Sequence, residues 1–303
     1  MDEMKRKTAV APKALGDLES AQKESLELLK KDPRVYAVIH DEFGLTLSET
    51  RRALAPLLDF YDDLHYCDSC PGYEKCEKEV PHYQIELFRE GGLMDRKLHL
   101  CPLAKKRESY DASFLDRDFP IAWMNETMKR SVSRTGKKNA ALVSMLRILK
   151  KETEKGVYLF GNRGTGRSFM LACLANDYVG EHGGPVSFVD TTSLLDKLRA
   201  LSFASKEKFS RAMNAYGNLS LLVLDDFGNE PKEKSGFVFS SILFPLLNER
   251  AKNGLVTCFS SDFTMQEVAD MYAPSIGAPR ARQFRGLLDA IASPFDITGI
   301  PER

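Results

Sequence analysis

Long apolar runs are missing from this chain: none of its 303 residues begins a stretch approaching the ~18–20 apolar residues a membrane-crossing helix needs. The opening Met1-Asp2-Glu3-Met4-Lys5 lacks the apolar core of a secretory signal. A cytoplasmic protein with no membrane partner is therefore expected. An excess of one charge is also missing, because 43 Lys and Arg cancel 43 Asp and Glu. The global field thus points neither to nucleic acid nor to anionic lipid, although a local basic face remains compatible with it. Cysteine is sparse at six residues, too few for a disulfide scaffold in a chain of this length. In a reducing compartment such cysteines are isolated thiols or metal ligands. What is present, 43% hydrophobic and 28% charged residues, excludes a disordered chain and suits about two domains.

The N-terminal part reads as small and mostly helical. Residues 1–15 are polar and aperiodic, whereas Leu18, Leu26, Leu28 and Leu29 give the segment from Asp17 to Lys31 an apolar stripe that Pro33 terminates. A second helix is predicted to start at Thr46 or Ser48, with Glu49 in its first turn, and to run through Leu54, Leu57 and Leu58 towards Tyr61. Four cysteines then fall close together: Cys67, Cys70, Cys76 and Cys101, with His82 between them and His65 and His99 nearby. Tetrahedral zinc takes four N or S ligands, and a C-x-x-C turn such as Cys67–Cys70 lets two thiolates converge. Cys76, His82 and Cys101 are the candidates for the second pair. No H-E-x-x-H or similar arrangement supplies a general base, so a structural Zn2+ site is expected. The charged run Lys105-Lys106-Arg107-Glu108-Ser109 reads as a linker, placing a boundary between residues 1–106 and 107–303.

The second part centres on Gly161-Asn162-Arg163-Gly164-Thr165-Gly166-Arg167-Ser168, between the apolar run Val157–Phe160 and the helix-like Phe169–Ala175. Strand, glycine-rich turn and helix in that order form a phosphate-binding loop, in which backbone N–H groups and the helix start hold phosphates and a Ser or Thr meets Mg2+. Arg167 stands where such loops have lysine. The run from Leu219 to Asp225-Asp226 reads as a buried strand with acids at its C-terminal edge, one for magnesium and one to orient water. A further strand from Leu255 brings Ser261 or Asp262 to the same edge, suited to sensing a γ-phosphate. Alternating strands (113–120, 186–189, 219–226, 255–262) and helices (140–150, 192–201, 206–216) predict an α/β fold with a parallel sheet flanked by helices. Thr264–Met271 is expected as a short helix, Ala273–Pro279 as a loop, and Arg280–Arg285 as a basic helix able to lend a finger arginine to a second copy of the chain. Two basic patches are candidates for DNA phosphates: Lys129, Arg130, Arg134, Lys137 and Lys138, and beside the site Lys197, Arg199, Lys206, Lys208 and Arg211.

Taken together, Cys67-x-x-Cys70-Pro71-Gly72, Lys75-Cys76, Pro81-His82, Cys101-Pro102, the loop at 161–168, Leu224-Asp225-Asp226-Phe227-Gly228, Phe259-Ser260-Ser261-Asp262-Phe263 and Ala292-x-Pro294-Phe295-Asp296-Ile297 resemble the DnaI-type helicase loaders of the AAA+ ATPases. The resemblance implies an N-terminal domain that binds the hexameric replicative helicase and an AAA+ domain that binds ATP and single-stranded DNA. It also implies zinc held by Cys67, Cys70, His82 and Cys101, with Cys76 as the substitute for His82. Three departures stand out: Arg167 for lysine, Asp262 for asparagine, and Leu287, Leu288 and Asp289 at the sensor and finger positions. Weakened hydrolysis and micromolar or weaker ATP binding follow, with Arg167→Lys not lowering turnover. Two alternatives are a transposon- or phage-associated DNA-remodelling ATPase and a non-hydrolysing scaffold.

Overall fold

A computed structural model describes residues 15–131, 136–230 and 235–298. The chain divides into two units, Met1–Glu108 and Ser109–Arg303. Among the described residues no helix is long and apolar enough to cross a membrane. Arg134, one of the basic residues noted above, lies outside the described residues.

In the first unit, α1 (Leu15–Lys31) buries Leu26 and Leu29, as the expected stripe requires, but leaves Leu28, counted in that stripe, exposed. Pro33 both stops α1 and opens α2 (Pro33–Ala37), because a proline at the first helical position forfeits only an N–H that has no partner there. Asp32 caps α2 by accepting from the Arg34 and Val35 N–H groups at 2.8 and 3.4 Å. The capping box Thr46/Glu49 opens α3 (Leu47–Arg52), and α4 (Leu54–Asp68) carries the chain into the cysteines. Leu29, Val35, Ile39, Leu45, Ala53 and Leu57 close the core.

The first unit is mostly helical, as expected, and also carries a pair of strands that the sequence reading did not include. Tyr83–Glu90 (β1) and Leu93–Leu100 (β2) form an antiparallel hairpin whose Leu87 enters that core. Its turn is Gly91-Gly92, both left-handed at φ 56° and 81°, the conformation two-residue hairpin loops demand. The expected linker is likewise helical: α5 (Pro102–Ala112) runs straight through Lys105–Ser109. Proline at its start followed by Leu, Ala, Lys, Lys, Arg and Glu is a helix-forming series, which local charge does not override.

The second unit is built on a six-stranded sheet of order β3-β5-β6-β7-β4-β8, every pairing parallel: β3 (Phe114–Arg117), β4 (Gly156–Phe160), β5 (Val186–Asp190), β6 (Leu221–Asp225), β7 (Val256–Ser261) and β8 (Ala292–Asp296). Strands covered on both faces read as continuous apolar runs. Val157 and Leu159 accordingly pack with α6 (Gly136–Leu149) and α7 (Arg167–His182), while Tyr158 packs on the other face with residues of α8 (Thr191–Ala204), α11 (Phe244–Lys252) and α13 (Ala278–Ile291). The remaining helices are α9 (Lys206–Gly217), α10 (Ser235–Val238) and α12 (Met265–Ile276).

Two segments without an earlier reading take shape here, and one reading changes. The chain from Ser235 to Lys252 is helical, and β8 is a strand that tolerates Pro294 because it lies on the sheet edge. The loop expected at Ala273–Pro279 shrinks to one residue: α12 continues through Pro274, and Gly277 at φ 84° alone separates it from α13.

Candidate nucleotide site

Parallel pairing puts the C-terminal ends of β4, β6 and β7 at one edge, where Phe160 pairs with Ser261 and Leu224 with Phe259. All the predicted phosphate-site residues follow these three ends. Gly161, Gly164 and Gly166 are left-handed or beyond, at φ 147°, 80° and 85°. A Cβ on Gly161 would lie 2.8 Å from the Thr298 nitrogen, so only glycine fits. Thr165 is buried and donates to Asn162 O at 2.9 Å, closing the loop on itself. Gly166 then caps α7, whose first N–H groups have no partner within the helix and form an anion-binding end.

Ser168 and Asp225 are brought together: Ser168 Oγ donates to Asp225 Oδ1 at 2.8 Å. Ser260 Oγ donates to the same oxygen, and Thr191 Oγ1 donates to the Asp225 carbonyl at 2.6 Å. Burial pushes the Asp225 carboxyl above its ordinary value, and neighbouring Asp226 adds to this, against the opposing bonds from Ser260 and Ser168. Asp226 turns the chain at φ 52° and donates its N–H to Ser260 Oγ at 3.1 Å. Ser260 was not picked out in the sequence; serines on a strand are ordinary, and only its place before Ser261-Asp262 marks it. Ser261, offered above as a phosphate sensor, is otherwise employed. It is fully buried, donates to Phe227 O at 2.6 Å and accepts from the Phe263 N–H at 3.0 Å.

Arg167 does not face the loop as a free cation. Its side chain is 6% exposed and donates to the carbonyls of Gly161 and Ser261 and to Asp262 Oδ1. Asp262 also accepts from Arg163 Nε at 3.1 Å and from Asn229 Nδ2 at 3.4 Å. Burial works to raise the Asp262 carboxyl, but the bonds from Arg167 and Arg163 outweigh it and hold the group below the usual carboxylate range. The two departures of the loop from its pattern, a guanidinium for an ammonium and a carboxylate after β7, are thus bonded to each other.

Cys67, Cys70, Cys76 and Cys101 belong to the first unit. Cys67 lies in the last turn of α4, and the Cys70 N–H donates to Cys67 O at 3.2 Å, the turn a C-x-x-C pair makes. The β1–β2 hairpin closes the gap between His82 and Cys101, whose N–H donates to His82 O at 2.8 Å. His82 N–H donates to Cys76 Sγ and Ala104 N–H to Cys101 Sγ, each at 3.4 Å, and Lys78 Nζ lies 3.8 Å from Cys67 Sγ. All four cysteines are free of disulfides. His82 stacks on Tyr73 and its Nδ1 is buried without a partner. An orphaned imidazole nitrogen and thiols that receive N–H donors suit metal ligands. Even so, among the described residues no group of three or more His, Cys, Asp or Glu stands in a metal-holding arrangement. His65 is drawn elsewhere, to Asp32 at 3.0 Å.

The basic residues are less available than their charges suggested. Lys197 is held by Asp116 and Tyr216 at 2.9 and 2.8 Å, Arg211 by Glu207, and Arg130 by Glu126, while Lys138 is buried. In α13, Arg285 pairs with Asp289 and Arg280 bonds to Ser240.

Comparison with known proteins finds four likenesses. Residues 129–273 match the model of the IstB-like ATP binding protein family. The replicative helicase loader DnaI of Bacillus subtilis (strain 168) is 24% identical over 266 residues, covering 83% of this chain and 82% of that protein. Among solved structures, the crystal structure of DnaI matches at a TM-score of 0.52 and 23% identity, over 64% of this chain and 99% of that one. A structure from Streptococcus pyogenes serotype M3, named provisionally as a primosome component, matches at 0.53 and 21%, over 65% and 100%. The resemblance to DnaI-type loaders is thereby found in sequence, and the two structural matches share the fold.

Proposed function

We propose that this protein is a helicase loader: an adaptor whose first unit engages a hexameric replicative helicase and whose second unit binds ATP with magnesium and contacts single-stranded DNA. The observation that carries this reading is extent. The likeness to DnaI covers 83% of the chain, more than the second unit alone spans, so it takes in part of the cysteine-bearing unit as well. The IstB-like match, at residues 129–273, stays within the second unit. That shorter match favours the second reading, a DNA-remodelling ATPase. The two differ in what must be turned over. A loader binds the helicase with or without rapid hydrolysis, whereas a remodeller hydrolyses ATP when DNA is supplied.

In the nucleotide site the backbone from Arg163 to Ser168 grips the phosphates, and Ser168 with Asp225 holds magnesium, which would neutralise phosphate charge. Asp226 is assigned to positioning water. With Arg167 withdrawn onto Asp262, nothing in the loop reproduces the compact ammonium that spans the terminal phosphates, and hydrolysis should be weak. Zinc is assigned to Cys67, Cys70 and Cys101 with His82, or Cys76 in its place, as a staple for a unit with a small core. The protein works in the cytoplasm.

Size-exclusion of the full chain with the replicative helicase of the same cell tests the function. Co-elution at the mass of a hexamer with bound loader is expected; separate elution together with brisk DNA-stimulated ATP hydrolysis would favour the remodeller. Metal analysis tests the staple. About one zinc per chain is expected, lost with Cys67→Ser. Purified protein without zinc, unchanged by chelator in its circular dichroism, would remove it.

A further inference from the structure

We propose that Asp262 sets the phosphate-number selectivity of the nucleotide site: by holding Arg167 away from the terminal phosphates, it lets the site take a nucleoside diphosphate at least as tightly as the triphosphate. The inference rests on the nucleotide reading given above and specifies which nucleotide the loop prefers.

The argument starts from donors and acceptors. A guanidinium has five N–H donors in a planar fork. In Arg167 the fork is spent on three acceptors, two of them carbonyls at the ends of β4 and β7 and the third the Asp262 carboxylate. With the side chain 6% exposed, the group is part of the wall of the sheet edge. To turn its Nη2 end to a phosphate it would have to abandon the Asp262 carboxylate, while Nη1 stays on the Gly161 and Ser261 carbonyls. Hydrogen bonds to charged groups are the costly ones to break.

Asp262 is fixed with equal care, taking donors from Arg167, Arg163 and Asn229. It therefore engages two cations, one at the third residue of the loop and one at the seventh, and its single charge offsets one of them. Arg163 is largely exposed, but its Nε is turned to the same carboxylate. The loop thus has its backbone amides, the α7 start and the Ser168–Asp225 pair for phosphates, while both of its guanidinium groups are turned to Asp262. Those backbone features serve phosphates lying within the loop. The contact that ordinarily rewards the added terminal phosphate is the loop's seventh-position cation, and here that cation is occupied. A carboxylate bonded to the loop opposes the extra negative charge besides.

The test is calorimetric titration of the full chain, in magnesium, with ADP and with a non-hydrolysable ATP analogue. For the wild type, the triphosphate should bind no more tightly than the diphosphate. Asp262→Asn should shift the ratio of the two Kd values about tenfold towards the triphosphate, because it releases Arg167. The double variant Asp262→Asn/Arg167→Ala should return the ratio to its wild-type value, because the gain runs through the freed guanidinium. Thermal melting confirms that each variant is folded. The proposal is overturned if the wild type prefers the triphosphate tenfold or more, a result that needs no variant. It is equally overturned if Asp262→Asn leaves the ratio unmoved, or if the double variant keeps the gain. Absence of binding by either nucleotide, in wild type and Asp262→Asn alike, would instead overturn the nucleotide reading itself.

Discussion

Two arginines in the second unit spend their forks on carbonyl oxygens, with different consequences. Arg250 is fully buried in α11 and donates to Tyr216 O, Leu219 O and Val256 O at 2.6 to 2.9 Å, and to Thr257 Oγ1. Burial pushes its guanidinium down to about 10. Removing it strands three buried carbonyls at roughly 1–3 kcal/mol each, so Arg250→Ala should lose at least about 3 kcal/mol, read from denaturant unfolding. Arg167 is bonded in the same manner at the functional edge, and there the cost falls on ligand recognition. Asp225 yields a pH prediction. Because burial raises its carboxyl, the neutral form is favoured in the folded state, so its contribution to stability is present in acid and is lost as pH rises through the raised value. Magnesium needs the ionised form. Magnesium-dependent nucleotide binding should therefore fall on acidification while the pH is still above the ordinary aspartate value of ~3.9, and calorimetry across pH 4–7 checks it. Gly161 to Ser168, Asp225 and Asp262 were legible in the sequence because their chemistry lies in local patterns. The destination of Arg167 was not, since its acceptors Ser261 and Asp262 lie far along the chain and meet it only through sheet pairing.

Elements were legible where an apolar period was strong. The strands β4, β5, β6 and β7 stood out as apolar runs, and α1, α6, α8 and α9 as periodic helices. The β1–β2 hairpin escaped because most of β2 is exposed and carries Asp95, Arg96 and Lys97. Its one clear signal is Gly91-Gly92, the dipeptide a tight hairpin turn selects. A left-handed backbone costs a side-chain-bearing residue roughly 1–2 kcal/mol. Gly92→Val should thus destabilise the first unit by about that amount. If the hairpin is what joins His82 to Cys101, the variant should also lower zinc content; full zinc content at reduced melting temperature would separate the two. The cap of α2 makes a second test. Asp32→Ala should cost about 1 kcal/mol. Hydrogen bonding from Arg34 holds the Asp32 carboxyl down near about 2, so its contribution is present above the ordinary aspartate value and disappears as pH falls towards 2. An acid titration that differs between wild type and Asp32→Ala in that window is expected.

At the scale of the molecule, the division between units falls inside α5. A fragment ending at Lys106 would stop in mid-helix and leave the last turns unformed. One ending at Ala112 keeps α5 whole and should melt at a higher temperature, a comparison that circular dichroism makes directly. The sheet has a further consequence, one for synthesis. Tyr158, just before the nucleotide loop, is bonded in register to Phe259 on one side and to Pro294 on the other. Both neighbours of that strand leave the ribosome long after it does. Parallel pairing of this kind is slow and non-local, so the loop cannot be shaped until translation has nearly finished. A chain cut short between the end of the first unit and Val256 would carry that unit without a completed nucleotide loop. Completion of the chain therefore has to come before any response to nucleotide, whatever the first unit has already folded into.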